Sequence, residues 1–452
     1  MTAPTASITD TVILNRTVAD DSPAAPLSPA WPLVKRVVFR FVFVYFGMYV
    51  LTTQMLAGLI NLPLLPFEIP DLGKIPPMRN LVMWIGNNIL HVKSILAPTG
   101  SGDTLYDWTQ AFTLLLLAAA STIVWSLLDT QRPNYARLHK WFRLFVRFGL
   151  GTMMLSYGFA KFFPLQMPTV FLSRLLEPYG NFSPMGVLWF SIGAAPVYES
   201  FIGLAEIVAG TLLFVPRTAL LGAIMCLNLS MGIFMVNMTY DVPVKLFAFH
   251  LILFSIVLMA PEVPRLLNIL VLNGSVPAAT LPQFGGSRRS NRIWFGAQVV
   301  YGTWCVASGL YQGPKSMKTF GADAPKSPLF GIWTIDSMAV NGNMLPPLTT
   351  DSTRYRHAIF QRPTGMSFQR MDLTFLTYAT TIDTLQRTIG LRKTTDSTWK
   401  AELAYQRPMN DQLTLDGDVE GKRLHMRLRL RDLSKLNINR GFHWVQEQPF
   451  NR

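Results

Sequence analysis

The stretch 109–128, TQAFTLLLLAAASTIVWSLL, decides the class of this chain. It contains no Asp, Glu, Lys, Arg or His. At a rise of about 1.5 Å per residue, a helix of this length is about 30 Å long, the thickness of a bilayer's hydrocarbon core. Working outward, six more apolar runs follow: 37–60, 141–163, 197–215, 218–240, 246–260 and 293–312. Pro216-Arg217 makes a tight turn between two of them. The pattern predicts a polytopic α-helical membrane bundle of about seven transmembrane helices.

Composition agrees. Of 452 residues, 50% are hydrophobic and 15% charged, against roughly 25% charged in an average soluble domain. The deficit lies before about residue 312. The net charge of +14 clusters just outside the apolar runs, at Lys35, Arg36 and Arg40, at 132–147, and at Arg288, Arg289 and Arg292. No aromatic-basic RNA motif accompanies these charges, so nucleic acid is not an expected partner. By the positive-inside rule these segments face the cytoplasm. Seven spans then put the N-terminus inside and the C-terminal domain in the periplasm or outside a bacterial cell membrane. Residues 1–32, rich in Ala, Ser, Thr, Pro and Asp, read as a disordered cytoplasmic tail. Residues 33–312 form the helical domain, with an interfacial amphipathic piece at 79–96 in a long first loop.

From residue 313 the periodicity changes to two. Alternating runs at 331–340, 355–360, 366–372, 384–391, 399–405, 412–415, 423–430 and 442–447 predict about eight antiparallel strands, a soluble all-β barrel or sandwich. Asn341-Gly342 and Asp416-Gly417 are expected turns. Trp333, Phe360, Phe368, Leu391, Trp399, Leu415 and Leu430 are expected on one inner face. Gly331-Ile332-Trp333 resembles the Gly-x-Trp opening of lipocalin-like barrels.

Charges inside spans are costly, so each needs a reason. Lys161 shares a helix face with Tyr157, four residues before it. It either snorkels to the outer headgroups or serves as an amine base in a partly dry pocket. Glu199 and Glu206 are seven apart and share a face with Gly203 and Gly210, which permit close helix approach. Glu206 is the deeper carboxylate and must be neutral or paired; Lys161 is its expected partner, as a structural ion pair or as a proton-handling site. His250 either donates to a neighbouring helix or relays protons. Asp241 is expected at the surface, capping the sixth span. Asn228, Asn237, Tyr240 and Lys245 are weighed as interhelical contacts or ligand-binding groups. Cys226 and Cys305 read as small hydrophobes, and no metal-ligand cluster is expected. There is no P-loop, HExxH or GxSxG.

Tyr157-Gly158-Phe159-Ala160-Lys161-Phe162, the helix at 199–210 and the His-bearing run 245–261 together resemble the DoxX-type four-helix membrane module, over about residues 140–272. The arrangement is more distantly similar to the membrane part of vitamin K-dependent γ-carboxylases, in which a lysine at the position of Lys161 is the base on a quinol. That family's large lumenal domain has no counterpart here. The resemblance implies a quinone, or a similar apolar redox molecule, held in the bundle. Lys161, Glu206 and His250 would then be the catalytic groups, with a redox partner protein. Two readings of other classes stay open: a membrane scaffold whose barrel binds a hydrophobic ligand or partner protein, and a small-solute or lipid transporter.

Overall fold

The computed structural model describes residues 29–60, 69–396 and 398–451; most of the expected tail, residues 1–28, lies outside them. Eleven helices precede a single sheet among the described residues. They are α1 (Leu33–Thr52), α2 (Met55–Ile60), α3 (Met78–Asn88), α4 (Leu105–Leu128), α5 (Ala136–Phe162), α6 (Pro184–Gly193), α7 (Pro196–Phe214), α8 (Ala219–Thr239), α9 (Lys245–Met259), α10 (Val263–Leu270) and α11 (Arg288–Thr319).

Four stretches are long and apolar enough to cross a membrane: α4, α7, α8 and the run Lys245–Leu270. The expected count of seven is therefore not met by length and composition. The other three expected spans are helical, as α1, α5 and α11; basic residues interrupt the apolar windows of two of them, Lys35, Arg36 and Arg40 in α1 and Arg143, Arg147 and Lys161 in α5, whereas in α11 the uncharged stretch 293–312 is diluted by Gln298 and by Gly296, Gly302 and Gly309.

Local chemistry moves several boundaries. Helix α4 starts before residue 109 because Thr104 and Asp107 form a capping box: Thr104 Oγ1 accepts from the Asp107 amide at 3.2 Å and Asp107 Oδ2 from the Thr104 amide at 3.0 Å. The expected run 37–60 breaks between α1 and α2. Thr52 and Thr53 turn their hydroxyls back onto the Met48 and Tyr49 carbonyls, both at 2.8 Å, a bond that bends helices. The Thr52 carbonyl is then taken by Gln110 Nε2 at 3.1 Å.

Helix α5 is the hub of the bundle, packing mainly on α7 and touching α1, α2, α9 and α11. Its seam with α7 is backbone on backbone. A Cβ at Gly203 would lie 2.3 Å from the Phe162 nitrogen and 2.5 Å from the Gly158 carbonyl oxygen, so only glycine fits.

The strands are β1 (Gly331–Val340), β2 (Asn343–Met344), β3 (Tyr355–Arg362), β4 (Gly365–Arg370), β5 (Phe375–Asp383), β6 (Thr388–Arg392), β7 (Lys400–Met409), β8 (Gln412–Val419) and β9 (Lys422–Leu430). All neighbours are antiparallel, and β1 also pairs with β9, Trp333 opposite Leu430 and Val340 opposite Leu424. The sheet thus closes into an eight-strand barrel, with β2 a short extension hydrogen-bonded to β1. Closure removes the free edges that would otherwise invite another strand.

Three sequence expectations are corrected here. The run 442–447 is not a strand, since closure leaves it no edge. The expected strand at 384–391 is shortened and β5 was missed: Asp383 Oδ1 accepts from the Leu385 and Gln386 amides, both at 2.8 Å, an Asx turn that ends β5 there. Asp416-Gly417 lies inside β8, where a Cβ on Gly417 would sit 2.3 Å from the Glu402 carbonyl. The turn falls instead at Glu420-Gly421, both at positive φ, like Asn341-Gly342.

Trp333, Phe360, Phe368, Leu391 and Leu415 are buried in the barrel core, with Trp399 and Leu430 half-buried against it. On the barrel's outer side, Ile332 and Ile359 pack with Leu172 of the loop after α5. Leu172 N donates to Gln361 Oε1 at 2.8 Å. The barrel therefore sits at the α5 C-terminal end of the bundle. The basic residues near the start of α5 contact 258–294 at the other end: Arg143 donates to the Leu258 carbonyl, Lys140 bonds the Gln283 carbonyl, and Trp141 packs on Trp294.

Candidate functional site

Lys161 lies in the last turn of α5 and Glu206 in the middle of α7. The glycine seam draws these two turns together. Lys161 Nζ is 2.9 Å from Glu206 Oε2, in hydrogen-bond geometry, and 2.8 Å from Oε1 without that alignment. Both side chains are buried, Lys161 at 6% and Glu206 at 0% exposure. The snorkelling alternative for Lys161 does not describe this geometry, because its ammonium ends on a carboxylate.

A shell surrounds the pair. Lys161 Nζ lies 5.6 Å from the Tyr157 ring centroid, within cation–π range. The Tyr157 hydroxyl accepts from Gln54 Nε2 at 2.9 Å, a residue just past α1. Tyr157 also leans on Phe247 of α9, at 6.0 Å between centroids. Ser200 Oγ donates to the Phe162 carbonyl at 3.0 Å, satisfying one of the open carbonyls at the end of α5.

Glu199 is fully buried. Its Oε1 accepts from the Met167 amide at 2.9 Å, which ties the loop after α5 to the first turn of α7. Its Oε2 is buried with no hydrogen-bond partner among the described residues. The same loop runs on to Leu172 and Leu176, which touch the barrel. One short segment therefore connects Glu199 of α7 to the barrel wall.

His250 belongs to a different cluster. Its Nδ1 faces the Leu246 carbonyl at 2.7 Å, and a carbonyl can only accept, so that nitrogen carries the proton. Nε2 then accepts from the Tyr45 hydroxyl at 2.7 Å. The ring stacks on Tyr49 at 3.8 Å and 10°. Every hydrogen-bonding position of this imidazole is filled, and its partners are α1 and its own helix.

The remaining expected ligand groups do not join Lys161. Asn228 is exposed and donates to the Ile224 carbonyl of its own helix at 2.9 Å. Asn237 is buried and reaches the Val244 carbonyl at 3.4 Å. Tyr240 is half-buried at the end of α8. Lys245 pairs with Asp241 at 2.8 Å. Asp241 is exposed as expected, but Asp103 takes the capping role, its two oxygens accepting the Lys245 and Leu246 amides at 2.8 and 2.9 Å.

Three participants escaped sequence reading. Gln54 has no motif around it. Arg40 reads as part of the basic flank yet is buried, donating to the Tyr135 hydroxyl, Ser126 Oγ and the Asp129 carbonyl. Arg147, also read as flank, is buried against Gln298 of α11. The available signal was position: both arginines sit a helical turn or more inside apolar sequence.

No family model matches the chain, and no solved structure matches it. The uncharacterized protein YwoB of Bacillus subtilis (strain 168) is 41% identical to it over 59 residues, 13% of this chain. The match spans 38% of YwoB's own length, so the chain is similar to part of an uncharacterized protein.

Proposed function

We propose that this is a DoxX-like protein of a bacterial cell membrane that holds a quinone, or a similar apolar redox molecule, beside the Lys161–Glu206 pair. The observation that carries the reading is that pair: an ammonium and a carboxylate, both out of water and beside the Tyr157 ring. A buried ion pair is a weak source of stability, because desolvation offsets most of its attraction. Its retention in an apolar bundle favours a role in handling protons or polar ligand atoms. Lys161 would donate a hydrogen bond to a ring oxygen, and Glu206 would hold the lysine in its charged, donating form.

In this reading α1, α5 and α11 also cross the bilayer, giving seven spans, with the basic end cytoplasmic and the barrel outside. A reporter fused after residue 451 tests the topology: activity only on export supports it, and cytoplasmic activity ends it. The filled barrel core argues against the rival in which the barrel's interior carries a hydrophobic ligand. Organic extraction of the purified full chain, followed by mass spectrometry, tests the ligand. A quinone retained by wild type and lost from Lys161→Met supports the site. Equal retention by both, or its absence from wild type, refutes it.

A further inference from the structure

At the end of the bundle away from the barrel lies a cavity of about 550 Å³. The first half of α5, the start of α8, the end of α9, α10 and the segment 279–284 enclose it. Among the described residues five basic side chains line it, Lys140, Arg143, Arg147, Arg217 and Arg265, against one carboxylate, Glu262. That is a surplus of four positive charges. Glu262 is shared at long range, 3.9 Å from Arg143 and 3.8 Å from Arg265.

Two of these groups point to a ligand. Arg147 is 7% exposed, and its Nε is buried with no hydrogen-bond partner among the described residues. Its only side-chain hydrogen bond there is the one to Gln298. A buried, under-satisfied guanidinium is expensive unless an acceptor arrives. Arg217 stands in the Pro216-Arg217 turn with no ion pair among the described residues. The rest of the wall is largely apolar and includes Leu220, Leu221 and Ile224 of α8. Leu221 is 53% exposed on a helix long and apolar enough to span a membrane. The cavity therefore joins a cationic interior to an exposed apolar wall.

We propose that this cavity binds the phosphate headgroup of an anionic lipid, with the acyl chains lying along α8. Arginine forks match phosphate oxygens two at a time, and basic clusters at a membrane surface attract anionic lipid. The apolar wall distinguishes a lipid from free phosphate, which would leave that surface uncovered. The site is separate from the Lys161–Glu206 pair, so either reading can fail alone.

The test uses the full chain in detergent, titrated with short-chain phosphatidylglycerol, phosphatidylcholine or inorganic phosphate. Native mass spectrometry and thermal melting are the readouts. Phosphatidylglycerol should be retained and raise the melting temperature, while the other two should not. Arg217→Gln with Arg265→Gln, both outside the buried core, should melt like wild type without lipid but bind phosphatidylglycerol about tenfold or more weakly, as expected for lost charged hydrogen bonds. Arg147→Lys, which keeps the charge but not the fork, should also weaken binding. Equal stabilisation by phosphatidylcholine, equal stabilisation by inorganic phosphate, or wild-type affinity in the Arg217→Gln, Arg265→Gln variant would each overturn the proposal.

Discussion

Removing one member of the Lys161–Glu206 pair should be worse than removing both. At 2.8 Å the attraction is about 6 kcal/mol at an effective dielectric of about 20. Desolvation of two charges offsets most of that in the native protein. Lys161→Met alone leaves Glu206, at 0% exposure, as a lone buried carboxylate; Glu206→Leu leaves a lone ammonium. Each single change should cost about 3–5 kcal/mol, whereas apolar replacement of a whole buried pair is often neutral. The double variant should therefore cost less than either single one, which makes the coupling energy at least about 3 kcal/mol. Equilibrium unfolding of the four proteins in the same micelle measures the cycle. Two additive effects below about 1 kcal/mol would refute the reasoning, and would mean that both groups find other partners or water. A stable double variant that has lost quinone would show that the pair is kept for the ligand rather than for the fold.

Gly203→Ala forces a Cβ against the Phe162 nitrogen and the Gly158 carbonyl, both backbone atoms; it should cost about 1–3 kcal/mol or more in the same unfolding assay and weaken the coupling of Lys161 to Glu206. Trp333→Ala empties a 0%-exposed site in the barrel core and removes the indole's 2.9 Å bond to the Leu329 carbonyl; the barrel's melting transition should lose about 3–5 kcal/mol. Burial, helped by Arg356 and Arg431, holds the His357 imidazole below its ordinary 6.5. The unfolded chain then takes up a proton near pH 6.5 while the folded barrel does not, so His357's contribution is whole above about pH 6.5 and is lost as pH falls toward the folded value. Melts of the full chain between pH 8 and pH 5 should show a smaller loss on acidification for His357→Gln than for wild type, and equal losses would contradict the assignment.

The sequence by itself determined the local periodicities. Burial repeats every two residues in a strand and about every 3.6 in a helix, so Gly331–Val340 is the same in sequence and structure, and Asn341-Gly342 turns where its residue types say it must. The apolar helices follow for the same reason. What tertiary structure decided are the pairings between distant segments. Lys161 and Glu206 stand 45 residues apart, and two glycine faces had to pack before their charges could meet. The run 442–447 alternates like a strand, yet β1 and β9 had already closed the sheet. Arg40 and Arg147 look like solvated flank until their partners arrive from α4, the loop after it and α11. A pattern reports which face of a segment avoids water; it carries no information about which other segment will cover that face. The buried ion pair and the cationic cavity therefore exist only once the helices have packed.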